Sequence, residues 1–124
     1  CTFLSCSRGF IVTVEGKYGD AVYFRFHDPV DGKITKYNVI ELIIQEKKEG
    51  NQWDVIWALS GEQSIDEVQY GKKYEGFNEI TQPRVLSLKG EYRVHVKDMP
   101  RFEPPGYGYA RFTFNESGEI VMLR

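Results

Sequence analysis

The sequence predicts an all-β domain, an antiparallel β-sandwich of about seven to eight strands layered in the immunoglobulin or transthyretin manner. Three observations predict it. Short runs of β-branched and aromatic residues recur at regular spacing, with Gly, Pro, Asn and Asp between them. Aromatics make up 15% of the 124 residues, which suits pleated, half-buried surfaces better than helices. Gln52 to Leu59, Gln-Trp-Asp-Val-Ile-Trp-Ala-Leu, is apolar on both faces and belongs inside a sheet. On a period of two, Trp53, Val55, Trp57 and Leu59 share one face, and both tryptophans are expected in the core. The Cys…Trp…Cys pattern of antibody domains is absent.

The strands follow in order. Residues 1–9 read as a tether and residues 10–124 as a single domain. Phe10 to Glu15 is a β-branched strand, closed by the turn Gly16-Lys-Tyr-Gly-Asp20. Ala21 to His27 alternates, with Val22, Phe24 and Phe26 on one face. Asp28-Pro-Val-Asp-Gly32 breaks the chain. Lys36 to Lys47 is ambiguous: Val39, Ile40, Ile43 and Ile44 would suit a helical face. Its β-branched content and missing N-cap favour a strand. Gly50-Asn51 then turns it into an antiparallel pairing with the tryptophan strand.

Ser60 to Ser64 reads as a loop, Ile65 to Tyr70 as a short strand, and Gly71 to Pro83 as long and irregular. Glu91 to Lys97 is the clearest half-exposed strand, with Tyr92, Val94 and Val96 inward and Arg93, His95 and Lys97 outward. Asp98 to Gly108 reads as a second long loop. Tyr109 to Phe114 alternates again, Asn115-Glu-Ser-Gly118 turns, and Glu119 to Leu123 is the last strand.

Charge excludes some functions. The net charge is −2 with no long run of one sign, so nothing calls for nucleic acid or an anionic membrane surface. Only two histidines exist, His27 beside Asp28 and His95 on an outward strand face, and no nucleophile elbow accompanies either. No CxxC, HExxH or calcium-loop spacing is present. The expectation is a protein that is not an enzyme and takes no metal and no cofactor.

The most distinctive stretch is Met99-Pro-Arg-Phe-Glu-Pro-Pro-Gly-Tyr-Gly-Tyr109, with three aromatics and three prolines in eleven residues. Arginine among aromatics is what partner-binding surfaces favour, which makes Arg101, Phe102, Tyr107 and Tyr109 candidate contact residues. The alternative, and the favoured one, is that Phe102, Tyr107 and Tyr109 fold back to cap one end of the sandwich. Tyr70, Tyr74 and Phe77 pose the same question, and both loops at one end would make a continuous aromatic patch.

The order Trp53-x-Val-Ile-Trp57, Val68-Gln-Tyr-Gly71, Glu75-Gly-Phe77, Leu88-x-x-x-Tyr92-Arg-Val94, Phe112-Thr-Phe114 and Gly118-Glu-Ile120 resembles small bacterial envelope lipoproteins of uncharacterised function. The resemblance covers about the C-terminal two thirds of the chain. Residue 1 is Cys1, and mature bacterial lipoproteins likewise begin at a cysteine that carries the lipids. What the resemblance implies is an acylated Cys1 and attachment to the outer membrane, facing the periplasm. It supplies no activity. Cys6 would then be an odd cysteine. Without acylation, an arbitrary chain boundary and a Cys1–Cys6 disulfide stay open.

Together these readings point to a non-catalytic, lipid-anchored envelope protein that binds another protein or supports an assembly, an inhibitor or immunity-type protein being the narrower form. The alternative is a carbohydrate- or lipid-binding module, which would need a groove lined by Tyr and Trp.

Overall fold

The structure, a computed structural model, describes residues 9–101 and 103–124. Cys1, Cys6 and Phe102, with the readings that rest on them, lie outside the described residues. Among the described residues there is no helix and there are nine strands. They are β1 (Gly9–Gly16), β2 (Val22–His27), β3 (Tyr37–Lys47), β4 (Trp53–Ile65), β5 (Glu67–Gln69), β6 (Phe77–Thr81), β7 (Glu91–Asp98), β8 (Gly106–Phe114) and β9 (Ile120–Leu123).

The all-β expectation holds, but the two-layer sandwich gives way to one curled mixed sheet, a half-barrel. The order is β5-β2-β1-β8-β7-β3-β4-β6, with β9 also on β8. Seven of the eight pairings are antiparallel. The exception is β1 beside β8, parallel over Gly9–Ile11 and Tyr107–Tyr109. A strongly twisted, bulged sheet of this width curls until its ends approach. Here Tyr70, just past β5, meets Trp57 of β4 edge-on at 5.1 Å. The Tyr70 hydroxyl donates to the Arg84 carbonyl at 2.7 Å, and the Arg84 N–H donates to the Ile56 carbonyl at 3.1 Å. The segment around Arg84 is therefore a strap across the open side.

Inside the curl, strands from both ends share one core: Phe24, Leu42, Ile44, Trp57, Tyr92 and Phe112 are fully buried. Tyr92 stacks on Phe112 at 5.2 Å, and its hydroxyl donates to Glu46 at 2.9 Å. Burial and that carboxylate push the Tyr92 phenol far above its ordinary range. The strand faces read from Val22–Phe26 and from Tyr92–Val96 are those observed.

Two bulges decide what the alternation could not. Ile44 pairs Trp57 but Gln45 pairs Val55, so Ile56 is an extra residue in β4. Trp57 and Leu59 consequently face the core, while Trp53 and Val55 fall on the outer face with Gln45 and Arg93. The expectation that both tryptophans are core is corrected: Trp53 is half-buried outside, with the Arg93 guanidinium 4.3 Å over its ring. A second irregularity makes Ile40 an extra residue in β3 against β7, while against β4 two residues, Gly61 and Glu62, stand opposite it. It sets the inward positions at Val39, Leu42 and Ile44, a mixed spacing that imitates a helix.

Three further boundaries differ. β4 runs on to Ile65 through the stretch expected to be a loop, β6 lies inside the stretch expected to be irregular, and β8 starts at Gly106. The Asp98 carboxylate anchors the turn before β8 by accepting the Gly106 N–H at 2.7 Å.

Candidate functional site

The candidate site is the outer face of β8 and its neighbours. β8 alternates Gly106, Gly108, Ala110, Phe112 and Phe114 inward with Tyr107 and Tyr109 outward. The inner side has no room at residue 108, where an added Cβ would sit 2.6 Å from side-chain atoms of Phe10 and Val12. Small residues inside and large ones outside follow from that crowding. The expectation that Tyr107 and Tyr109 fold back as caps is therefore corrected: they stand on a strand and are 53% and 50% exposed.

Register builds the rest of the surface. Tyr109 lies between His95 of β7 and Ile11 of β1, and Ile11 is 45% exposed. The row continues from His95 to Ile43 of β3 and Ala58 of β4. His95 and Tyr109 rings are 5.0 Å apart. Tyr107 lies opposite Lys97, whose Nζ is 5.8 Å from its ring centre. Burial, helped by the Arg93 charge, lowers the His95 proton affinity below that of a free imidazole. The face is thus a row of apolar and aromatic side chains edged with cations, where a sheet half open to water ordinarily turns polar groups outward.

No family model, curated protein or solved structure matches the chain. The site stands on its geometry.

The other candidates lie elsewhere. Tyr74 and Phe77 pack edge to face at 6.4 Å against the core, and the Tyr74 hydroxyl accepts the Gln69 N–H at 2.8 Å. Burial raises the Tyr74 phenol. Core-packed rings and outer-face rings do not make the single aromatic patch envisaged from the sequence. Arg101 is exposed beside Asn38, Glu62, Ser64 and Met99. Among the described residues no group of three or more His, Cys, Asp and Glu could hold a metal.

His27 is committed to structure. Its Nδ1 donates to the Gly32 carbonyl at 3.0 Å, which leaves Nε2 to accept the Thr13 hydroxyl at 2.8 Å. Asp28 turns away, accepting the Val30 and Asp31 N–H groups at 2.7 and 3.3 Å. The Asp28–Gly32 turn is held this way.

A second feature is an open cleft of about 290 Å³ where the sheet ends approach. Tyr18, Val22, Tyr70, Val85, Leu86 and Phe114 line it. Sequence reasoning did not assemble it, because its walls come from separate turns and the strap. It also missed Ile11, His95 and Lys97 as companions of the tyrosines. Their outward alternation was visible, but the register that joins them is not written locally.

Proposed function

We propose that this domain is a non-catalytic binding module of the cell envelope that docks another protein on its outer sheet face. One observation carries the reading: Tyr107, Tyr109 and Ile11 lie side by side in register and face solvent. Tyrosines fixed on a rigid strand offer large contact area at small entropic cost, as interface anchors do. The envelope setting, with a lipid on Cys1, belongs to the same proposal and is supported by the sequence resemblance alone. Intact mass of the native protein tests it, and an unmodified Cys1 removes that part.

The docking reading is tested by affinity capture from envelope membranes with wild type and a Tyr107→Ala/Tyr109→Ala variant. The variant should lose the captured partner while unfolding at close to the wild-type urea midpoint, since both rings are half exposed. Equal capture by both proteins refutes the reading.

A second reading is a small-ligand module, favoured by the cleft between the sheet ends. Its apolar rings and aliphatic side chains suit a hydrocarbon or sugar face. Leu86→Trp would fill it, and ligand binding lost in that variant but kept in the tyrosine variant would transfer the function to the cleft.

A further inference from the structure

We propose that the outer strip of β7, Arg93 to Lys97 with Trp53, Tyr107 and Tyr109 around it, binds an extended acidic polypeptide segment. The inference rests on the reading that the outer face is the docking face, and names what docks there. The four cations that β2, β7 and β8 place on that face divide into two kinds. Arg25 is neutralised by Glu67 at 2.7 Å and Glu15 at 3.2 Å, and Arg111 by Glu91 at 2.6 Å. Arg93 and Lys97 have no carboxylate within 4 Å among the described residues. Glu41 is opposite Lys97 in the register but makes no ion pair with it.

Each of the two unpaired cations stands over a ring instead, Arg93 over Trp53 and Lys97 over Tyr107. Arg93 Nε donates to the Gln45 side-chain oxygen at 2.6 Å, a neutral partner that fixes the fork and leaves its charge uncompensated. The free charges are therefore those set among the exposed aromatics, and the complement of that surface is acidic.

Spacing favours a peptide. Arg93 and Lys97 are four residues apart on a strand, roughly 13 Å at the strand rise. Carboxylates on residues i and i+4 of a second extended chain have the same separation, with the i+2 side chain over Tyr109 and His95. Nucleic acid fits less well, since the chain as a whole carries −2.

Trp53 is the reporter, since Trp57 is fully buried on the inner face. A decapeptide alternating Glu and Ser is titrated into the full chain while tryptophan emission is followed. A saturable change is expected, absent in Trp53→Phe, weakened at least tenfold in Arg93→Gln/Lys97→Gln and kept within about threefold in Arg93→Lys. Lys72→Gln should bind as wild type does. No saturable change, or equal binding by the double variant, overturns the inference. So does binding of polygalacturonate with the peptide silent, which would make the strip a reader of acidic glycans. Loss of partner capture in the tyrosine variant with full capture by Arg93→Gln/Lys97→Gln would leave the docking face standing and sink only its acidic partner.

Discussion

His95 shows how one position carries both packing and charge. It lies between Ile43 and Tyr109 in the register, on a strand whose next outward residues are Arg93 and Lys97. Burial and Arg93 both disfavour its protonated form. The unfolded chain therefore binds this proton more tightly than the folded one, starting from about pH 6.5. Above that pH the residue has no effect on stability. As pH falls through the unfolded value toward the lowered folded one, stability is lost. The urea midpoint should accordingly drop between pH 7 and pH 5.5, and drop less in His95→Gln. An identical pH slope in the two proteins would place the proton uptake elsewhere. The residue also explains a limit of sequence reading. Its outward direction was legible from the Tyr92–Val96 alternation, but the ring it meets belongs to a strand whose start, at Gly106, was read as loop.

At the scale of elements, what was legible was a strand with a period of two, and what failed was a strand with one residue too many. β1, β2, β7 and the end of β8 match their alternation. β3 and β4 do not, because their register shifts at isoleucines, Ile40 against β7 and Ile56 against β3. Each isoleucine suits a strand, so nothing local reports that the face changes there. β6 escaped for a related reason. It is an edge strand in which Ala58 pairs Thr81 but Leu59 pairs Glu79, so Ile80 is an extra residue and stands 67% exposed. β8 offers a direct test of why its tyrosines point outward. Gly108 has no positive φ, so alanine suits its backbone and only space opposes it. Gly108→Ala should cost about 1–3 kcal/mol in urea unfolding, from pressing a methyl against Phe10 and Val12. A cost near zero would mean that β1 can shift, and that crowding is not what keeps this side of β8 small.

For the whole molecule, composition and turn chemistry made the all-β class legible, while layering depended on two long-range pairings with no local signature. These are the parallel ladder of β1 with β8 and the placing of β5 on β2. They divide the sheet path into β5-β2-β1 on one side and β8-β7-β3-β4-β6 on the other. The two parts are joined by the short ladder, by shared core contacts such as Phe24 with Phe112 at 6.1 Å, and by the Tyr70–Arg84–Ile56 strap. The larger part is held by two long antiparallel ladders on β3, so its opening should coincide with global unfolding. The smaller part has fewer attachments and should open below that limit. Tyr70→Phe removes the strap's hydroxyl bond and keeps the ring against Trp57. A hydrogen bond of this kind is worth about 1 kcal/mol, so amides of β1, β2 and β5 should exchange roughly fivefold faster. Those of β3 and β7 should change only as far as global stability does. Exchange of β1, β2 and β5 at the wild-type rate while β3 and β7 accelerate would show that the strap survives that opening, and so does not hold one end of the sheet to the other.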